Sequence, residues 1–206
     1  MQAYQKLPYV DYLQRNSSDY VDRITRLTGQ FSGGVVRSSL KTISEGIILE
    51  DGDLKVTAYM AGHPPVEPAV GYRFDYRGRS VVISGDSNVT VETRKIIEGA
   101  DLLLHDALSV PVVSTLSAAA GQAGLSRISK IMADVLDYHA STTSLVELGV
   151  DANVDMVAFY HLVPSPVNVL VEEIFKRDLP DNYLLAADGM WFDLPVSGDD
   201  ILVTGP

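Results

Sequence analysis

With 206 residues, a net charge of -11 and no cysteine, the chain suits one domain of ordinary size, and its composition excludes disulfides, thiolate metal ligands and a cysteine nucleophile. Its 16 Lys and Arg against 27 Asp and Glu disfavour broad attraction to phosphate backbones. A hydrophobic content of 46% is high for so acidic a chain, and it predicts a well-buried sheet or a surface that seeks a partner.

The N-terminal MQAYQKLPYVDYLQRN lacks the apolar core of a signal peptide, and no apolar run approaches the roughly 18 residues of a membrane span, so a cytoplasmic location is expected. Residues 9–28 carry apolar side chains at Tyr9, Tyr12, Leu13, Tyr20, Val21, Ile24 and Leu27, a helical spacing broken near Asn16, so two short helices are predicted there. Strand-like runs follow at 43–50, 54–60, 70–76 and 79–84, with Gly52 and Gly78 marking turns. This block reads as antiparallel hairpins, and Arg73, Arg77 and Arg79 within it read as solvated strand faces.

After Asn88 the pattern alternates. A helix is expected over 90–98, a strand over 101–105, a longer helix near 123–136, a helix capped by Ser141 and Thr142, a strand over 155–161, a helix over 167–177, and strands over 183–187 and 190–194. Residues 112–124 are small and uncharged, so either a mobile loop or a packed helix end is open. Hairpins followed by strand–helix alternation predict an α/β (α+β) mixed sheet with packed helices.

Four histidines stand where apolar runs stop: His63 in AGHPP, His105 in LLHDA, His139 in YHAST and His161 in FYHLVP. Asp86 closes the run VVISGDS in the same way. At strand tips, His63, Asp86 and His161 would converge on one sheet edge, where imidazoles and a carboxylate suit a divalent metal such as zinc and Asp86 could bridge two ions. His139, before a helix start, is placed to pass a proton, with Asp106 to orient it. The plainer alternatives are structural histidines and an Asx turn at Asp86. His105 reads as a packed or supporting residue rather than a ligand.

The segments VTAYMAGHPPVEPAVGYRFDYRGRSVVISGDS, GADLLLHDA, YHASTTSLVELGVDANVDMVAFYHLVP and LAADGMWFDLP together resemble the second half of a metallo-β-lactamase-fold hydrolase, in the branch of ribonuclease Z-like phosphodiesterases and arylsulfatase-like enzymes. The resemblance implies that 43–206 is the second half of an αββα sandwich and 1–42 a helical segment preceding it, within one partial domain over 1–206. It implies His63, Asp86 and His161 as metal ligands in a two-zinc centre, with Asp86 bridging. It also implies His139 as the histidine assisting the leaving group and Asp106 as its acidic partner.

The family's His-x-His-x-Asp-His cluster has no match in residues 1–62, which hold no histidine, so the chain is expected to be an N-terminally shortened member with a partial centre. Leaving about 1,000 Å² of apolar sheet in water would cost on the order of 25 kcal/mol, so a second copy or a missing N-terminal half is expected to cover it. The expected reaction is hydrolysis of a small phosphodiester or related ester. The alternatives are an inactive interaction module and an endonuclease processing RNA 3' ends; only Asp75–Gly78 separates two strands where many transfer-RNA-processing members carry a long arm, which weighs against the last.

Overall fold

The computed structural model describes residues 45–205. The helices predicted over 9–28 and the helical segment expected over 1–42 lie outside them. A seven-stranded sheet has the order β1 (Gly46–Asp51), β2 (Leu54–Ala61), β3 (Ala69–Tyr76), β4 (Arg79–Ile83), β5 (Leu102–Leu108), β6 (Met156–Val163) and β7 (Tyr183–Leu185). Neighbours in the sheet are therefore neighbours in sequence.

β1 to β4 pair antiparallel, and β4 to β7 pair parallel. The change has a local cause. Arg77 and Gly78 between β3 and β4 both have positive φ, 49° and 84°, the conformation of a two-residue hairpin turn that glycine adopts without steric cost. Beyond β4 every connection carries a helix, which returns the chain to the starting end of the sheet.

Those helices are α1 (Val91–Ile97), α2 (Val110–Gln122), α3 (Ser126–Asp134), α4 (Thr142–Asp151) and α5 (Val169–Lys176). α1 begins at a capping box in which Thr90 and Thr93 satisfy each other's backbone N–H groups. The Ser141 side chain caps α4 as its sequence predicts, accepting from Ser144 N. Val82, Leu103, Val157 and Phe159 of the central strands, none of them exposed, pack against Ile97 of α1 and Leu145 and Leu148 of α4. Hence α1 and α4 cover one face of the sheet.

Three sequence expectations need correction. The segment over 112–124 is helix α2 almost throughout, because alanine-rich sequence favours helix and Pro111 sits in the first turn, where its missing N–H costs nothing. The single helix near 123–136 is instead α3 followed by a 3-10 turn over Val135–Asp137, and Gly124, at φ 73°, separates it from α2. A small hairpin of β8 (Trp191–Asp193) and β9 (Leu202–Thr204) adds a strand that its three residues were too few to signal.

Arg79 is a fourth correction, since it is 7% exposed rather than solvated. Its guanidinium lies 3.1 Å from Asp101 and donates to the carbonyls of Gly198 (2.6 Å) and Asp200 (3.2 Å), tying the C-terminal segment to β4. Replacing Arg79 with Met would leave the partly buried Asp101 with only its Ser80 donors, a change expected to cost about 2–4 kcal/mol. Urea unfolding measures it, and a loss under about 1 kcal/mol would show that the pair behaves like a surface ion pair. Arg73, by contrast, donates to the carbonyls of Ile96 and Glu98 and so caps the end of α1. No helix among the described residues is long and apolar enough to cross a membrane.

Candidate metal centre

β2 and β4 each run antiparallel to β3, and β5 and β6 run parallel to β4, so the C-terminal ends of β2, β4, β5 and β6 lie at one end of the sheet. His63 follows β2, Asp86 follows β4, Asp106 lies near the end of β5, and His161 lies near the end of β6. Topology alone brings these four together.

Backbone bonds then tighten the cluster. Asn88 N donates to Gly62 O at 2.7 Å, joining the Asp86 loop to the His63 loop. Leu108 N donates to Ala140 O at 2.7 Å, and Ala140 N to Ser87 O at 3.1 Å, which holds the His139 segment between β5 and the Asp86 loop.

The register of β5 and β6 slips at the site: Asp106 faces Tyr160, and Ala107 faces Leu162, so His161 is the extra residue of a β-bulge. Its φ is 43°. A bulge bends the strand and re-aims one side chain, and a positive φ at a non-glycine residue is a strained conformation of a kind that concentrates at functional sites. His161 is half-exposed, and its Nδ1 lies 3.1 Å from Asp86 Oδ1.

The ring of His139 stands 5.2 Å from that of His63 and 5.5 Å from that of His161. Tyr138 packs its ring 4.8 Å from His63 and 5.0 Å from His139. Three imidazoles thus share one surface.

Beneath them Asp106 is fully buried. Its Oδ2 accepts from His139 Nδ1 at 2.7 Å, while its Oδ1 accepts from Ser87 N at 3.0 Å and lies 3.0 Å from His105 Nδ1. Burial pushes this carboxyl up, but the hydrogen bonds from His105, His139 and the Ser87 N–H together hold it below the usual carboxylate value. An ionised Asp106 is an acceptor only, so the proton it shares with His139 belongs to Nδ1, and Nε2 is left for chemistry.

Among the described residues, the group whose ligand atoms all lie within 4.8 Å of one another is Asp106, His139 and His161. The trio expected from sequence, His63, Asp86 and His161, meets pairwise at Asp86–His161, and His63 joins through the His139 ring. Both oxygens of Asp106 already lie against N–H donors, one of them His139 Nδ1. His63 Nδ1 is buried without a hydrogen-bond partner among the described residues, as a nitrogen kept for a cation would be. Orphaned imidazole nitrogen, a second imidazole and the Asp86 carboxylate make a donor set that suits zinc.

Sequence reasoning placed His105 outside the ligand set, and the structure puts it fully buried against Asp106. Tyr138 drew no assignment, although an aromatic residue directly before His139 was its only signal.

No family model matches the chain. Ribonuclease Z of Mycobacterium avium (strain 104) is 26% identical over 124 residues, 60% of this chain and 40% of that protein. The chain spans about 40% of the length of the curated relatives it matches first. Among solved structures, the metallo-β-lactamase-fold protein YhfI of Bacillus subtilis aligns with a TM-score of 0.47 at 16% identity, over 68% of this chain and 50% of that one. A diphosphatase of the PhnP family aligns with a TM-score of 0.49 at 19% identity, over 82% of this chain and 53% of that one. The resemblance to ribonuclease Z expected from the motifs is thus met in sequence relatives over 60% of the chain.

Proposed function

We propose that this ribonuclease Z-like chain carries part of the centre of a metal-dependent hydrolase acting on phosphodiester or related ester bonds. The observation that carries the reading is the gathering of His63, His139, His161 and Asp86 at one sheet end, with His139 held by a buried carboxylate. His63, Asp86 and His161 would hold the metal, zinc being the ion that suits them. When bound, such an ion polarises an ester oxygen and makes a water acidic enough to attack as hydroxide.

The remaining work falls to the chain itself. Asp106 fixes the His139 ring through Nδ1–H, which turns Nε2 outward as the atom that would pass a proton to the departing oxygen. His105 and Ser87 N keep Asp106 from turning away.

A small diester or related ester fits better than a polyanion. Arg77 pairs with Asp53, Arg73 and Lys55 share Asp75, and all of them lie at the opposite end of the sheet from the imidazoles. The ribonuclease Z relatives favour a second reading, cleavage of RNA. Cleavage of a short RNA with a trailing 3' segment, set against a bis-aryl phosphate, separates the two.

The deciding experiment loads the purified chain with zinc, measures bound metal, and follows hydrolysis of the bis-aryl phosphate before and after chelation. Turnover that vanishes on chelation and returns with zinc is the expected result. Less than one weakly held ion with no turnover would favour a non-catalytic interaction module. Ile47 and Leu49 on β1, the edge strand among the described residues, are 59% and 45% exposed, which supports pairing with a second copy or another sheet-bearing segment; light scattering of the same sample reads its mass.

A further inference from the structure

A row of residues crosses five adjacent strands on the helix-covered face of the sheet. Tyr59 of β2 pairs with Gly71 of β3. Gly71 lies beside Ser84, one step beyond the Tyr72–Ile83 pair, and Ser84 lies beside His105, one step beyond Ile83–Leu104. His105 pairs with Phe159. Tyr59 is 3% exposed, and Ser84, His105 and Phe159 are fully buried.

Gly71 has a reason in this row. A Cβ built there would collide with the ring edge and hydroxyl of Tyr59, so the tyrosine lies across the glycine, with its hydroxyl directed over the neighbouring strand. Glycine is the residue that permits it.

Two polar atoms in the row lack partners among the described residues, the Tyr59 hydroxyl and His105 Nε2. Their needs are opposite. His105 Nδ1 lies 2.8 Å from Asp106 O and 3.0 Å from Asp106 Oδ1, both acceptors, so Nδ1 carries the hydrogen and Nε2 is an acceptor. The tyrosine is a donor whose burial, with the nearby Tyr160 and Asp106, disfavours loss of its proton.

Three strand spacings of ~4.8 Å separate Tyr59 from His105, roughly 14 Å between backbones. A tyrosine and a histidine reaching toward each other span that distance to within about one water.

We propose that the Tyr59 hydroxyl supports His105 Nε2 through one buried water, which also reaches Ser84, and that Tyr59 is thereby a positioning residue for the Asp106–His139 pair. The water accepts from Tyr59 and donates to His105 Nε2 and to Ser84 Oγ, the usual three bonds of a buried water. His105 is then locked as the Nδ1–H tautomer, which keeps its donor on Asp106. This support is of the kind that orients metal and catalytic histidines elsewhere through groups one step removed.

The consequence for catalysis rests on the hydrolase reading; the hydrogen bond does not. The test is nitrogen-15 NMR of the histidine rings in the unreacted full chain and in its Tyr59→Phe variant. In the unaltered protein His105 should carry its proton on Nδ1 and show a hydrogen-bonded Nε2. In the variant, Nε2 should move to the position of an unbonded nitrogen and the His139 Nδ1–H resonance should shift with it, with unchanged far-ultraviolet circular dichroism. A His105 protonated at Nε2 in the unaltered protein, or an Nε2 signal that ignores Tyr59→Phe, would overturn the proposal. Because the readout needs no turnover, an inactive chain with this signature would sink the hydrolase reading alone.

Discussion

Replacing Asp106 with alanine is expected to destabilise the chain by about 3–5 kcal/mol, because the buried N–H groups of His139 and the Ser87 backbone lose their acceptor and His105 Nδ1 keeps only the backbone carbonyl of residue 106. Each buried donor left unpaired costs about 1–3 kcal/mol, and the sum competes with a whole domain's net stability of about 5–15 kcal/mol. Asp106→Asn should cost less, since the amide keeps an oxygen and the side chain's volume. The pH dependence has a definite sign. The folded state holds the Asp106 carboxyl below its unfolded value, so its contribution is complete above the ordinary carboxylate range and is lost as pH falls through the lowered folded value. Urea titrations at a series of pH values should therefore show the gap between the unaltered chain and Asp106→Asn widest near neutrality and closing in acid. A gap under about 1 kcal/mol at pH 7 would mean that Asp106 is not the acceptor on which this cluster depends.

The sheet was legible because its strands carry the two signals that survive in a single sequence, β-rich runs and turn residues between them. β2, β3 and β4 fall within a residue or two of their expected bounds. α2 was not fixed in advance, because Ala118, Ala119 and Ala120 stabilise helix without marking an apolar face. Arg79 was misread for a different reason. Alternation along a strand tells which face a side chain takes, but whether that face is covered depends on Asp101 and on the chain near Gly198, 119 residues away in sequence.

The site shows the same division. Each of His63, Asp86, Asp106, His139 and His161 could be placed at an element's end from local pattern, and parallel strand ends then bring four of them together. What local pattern does not encode is the bulge at His161, which arises only when β6 takes its register against β5. Nor does it encode that Asp106 spends its oxygens on three donors. Those two facts support the roles proposed above, ligand for His161 and orienting residue for Asp106.

Alanine at His161 is expected to remove metal binding more completely than alanine at any supporting residue, which elsewhere costs roughly 10- to 100-fold in affinity. The reason is positional. His161 contacts Asp86 and neighbours His139, so it is the one imidazole shared by the expected ligand trio and by the tightest group of ligand atoms in the described chain. His63→Ala should weaken binding by removing the buried, unpartnered Nδ1, and Asp86→Ala by removing the carboxylate charge. Asp106→Asn should leave most of the metal in place while altering His139. Competition with a zinc-sensitive dye, read beside a thermal melt for each variant, gives affinities free of folding effects. Because His161 is half-exposed and its positive φ is strained, His161→Gly should keep or raise the melting temperature while losing the metal. Stability retained with metal lost would mark the bulge as a device for holding a ligand. Metal retained in both His161 variants would remove that imidazole from the centre and leave His63 and Asp86 without the neighbour that joins them.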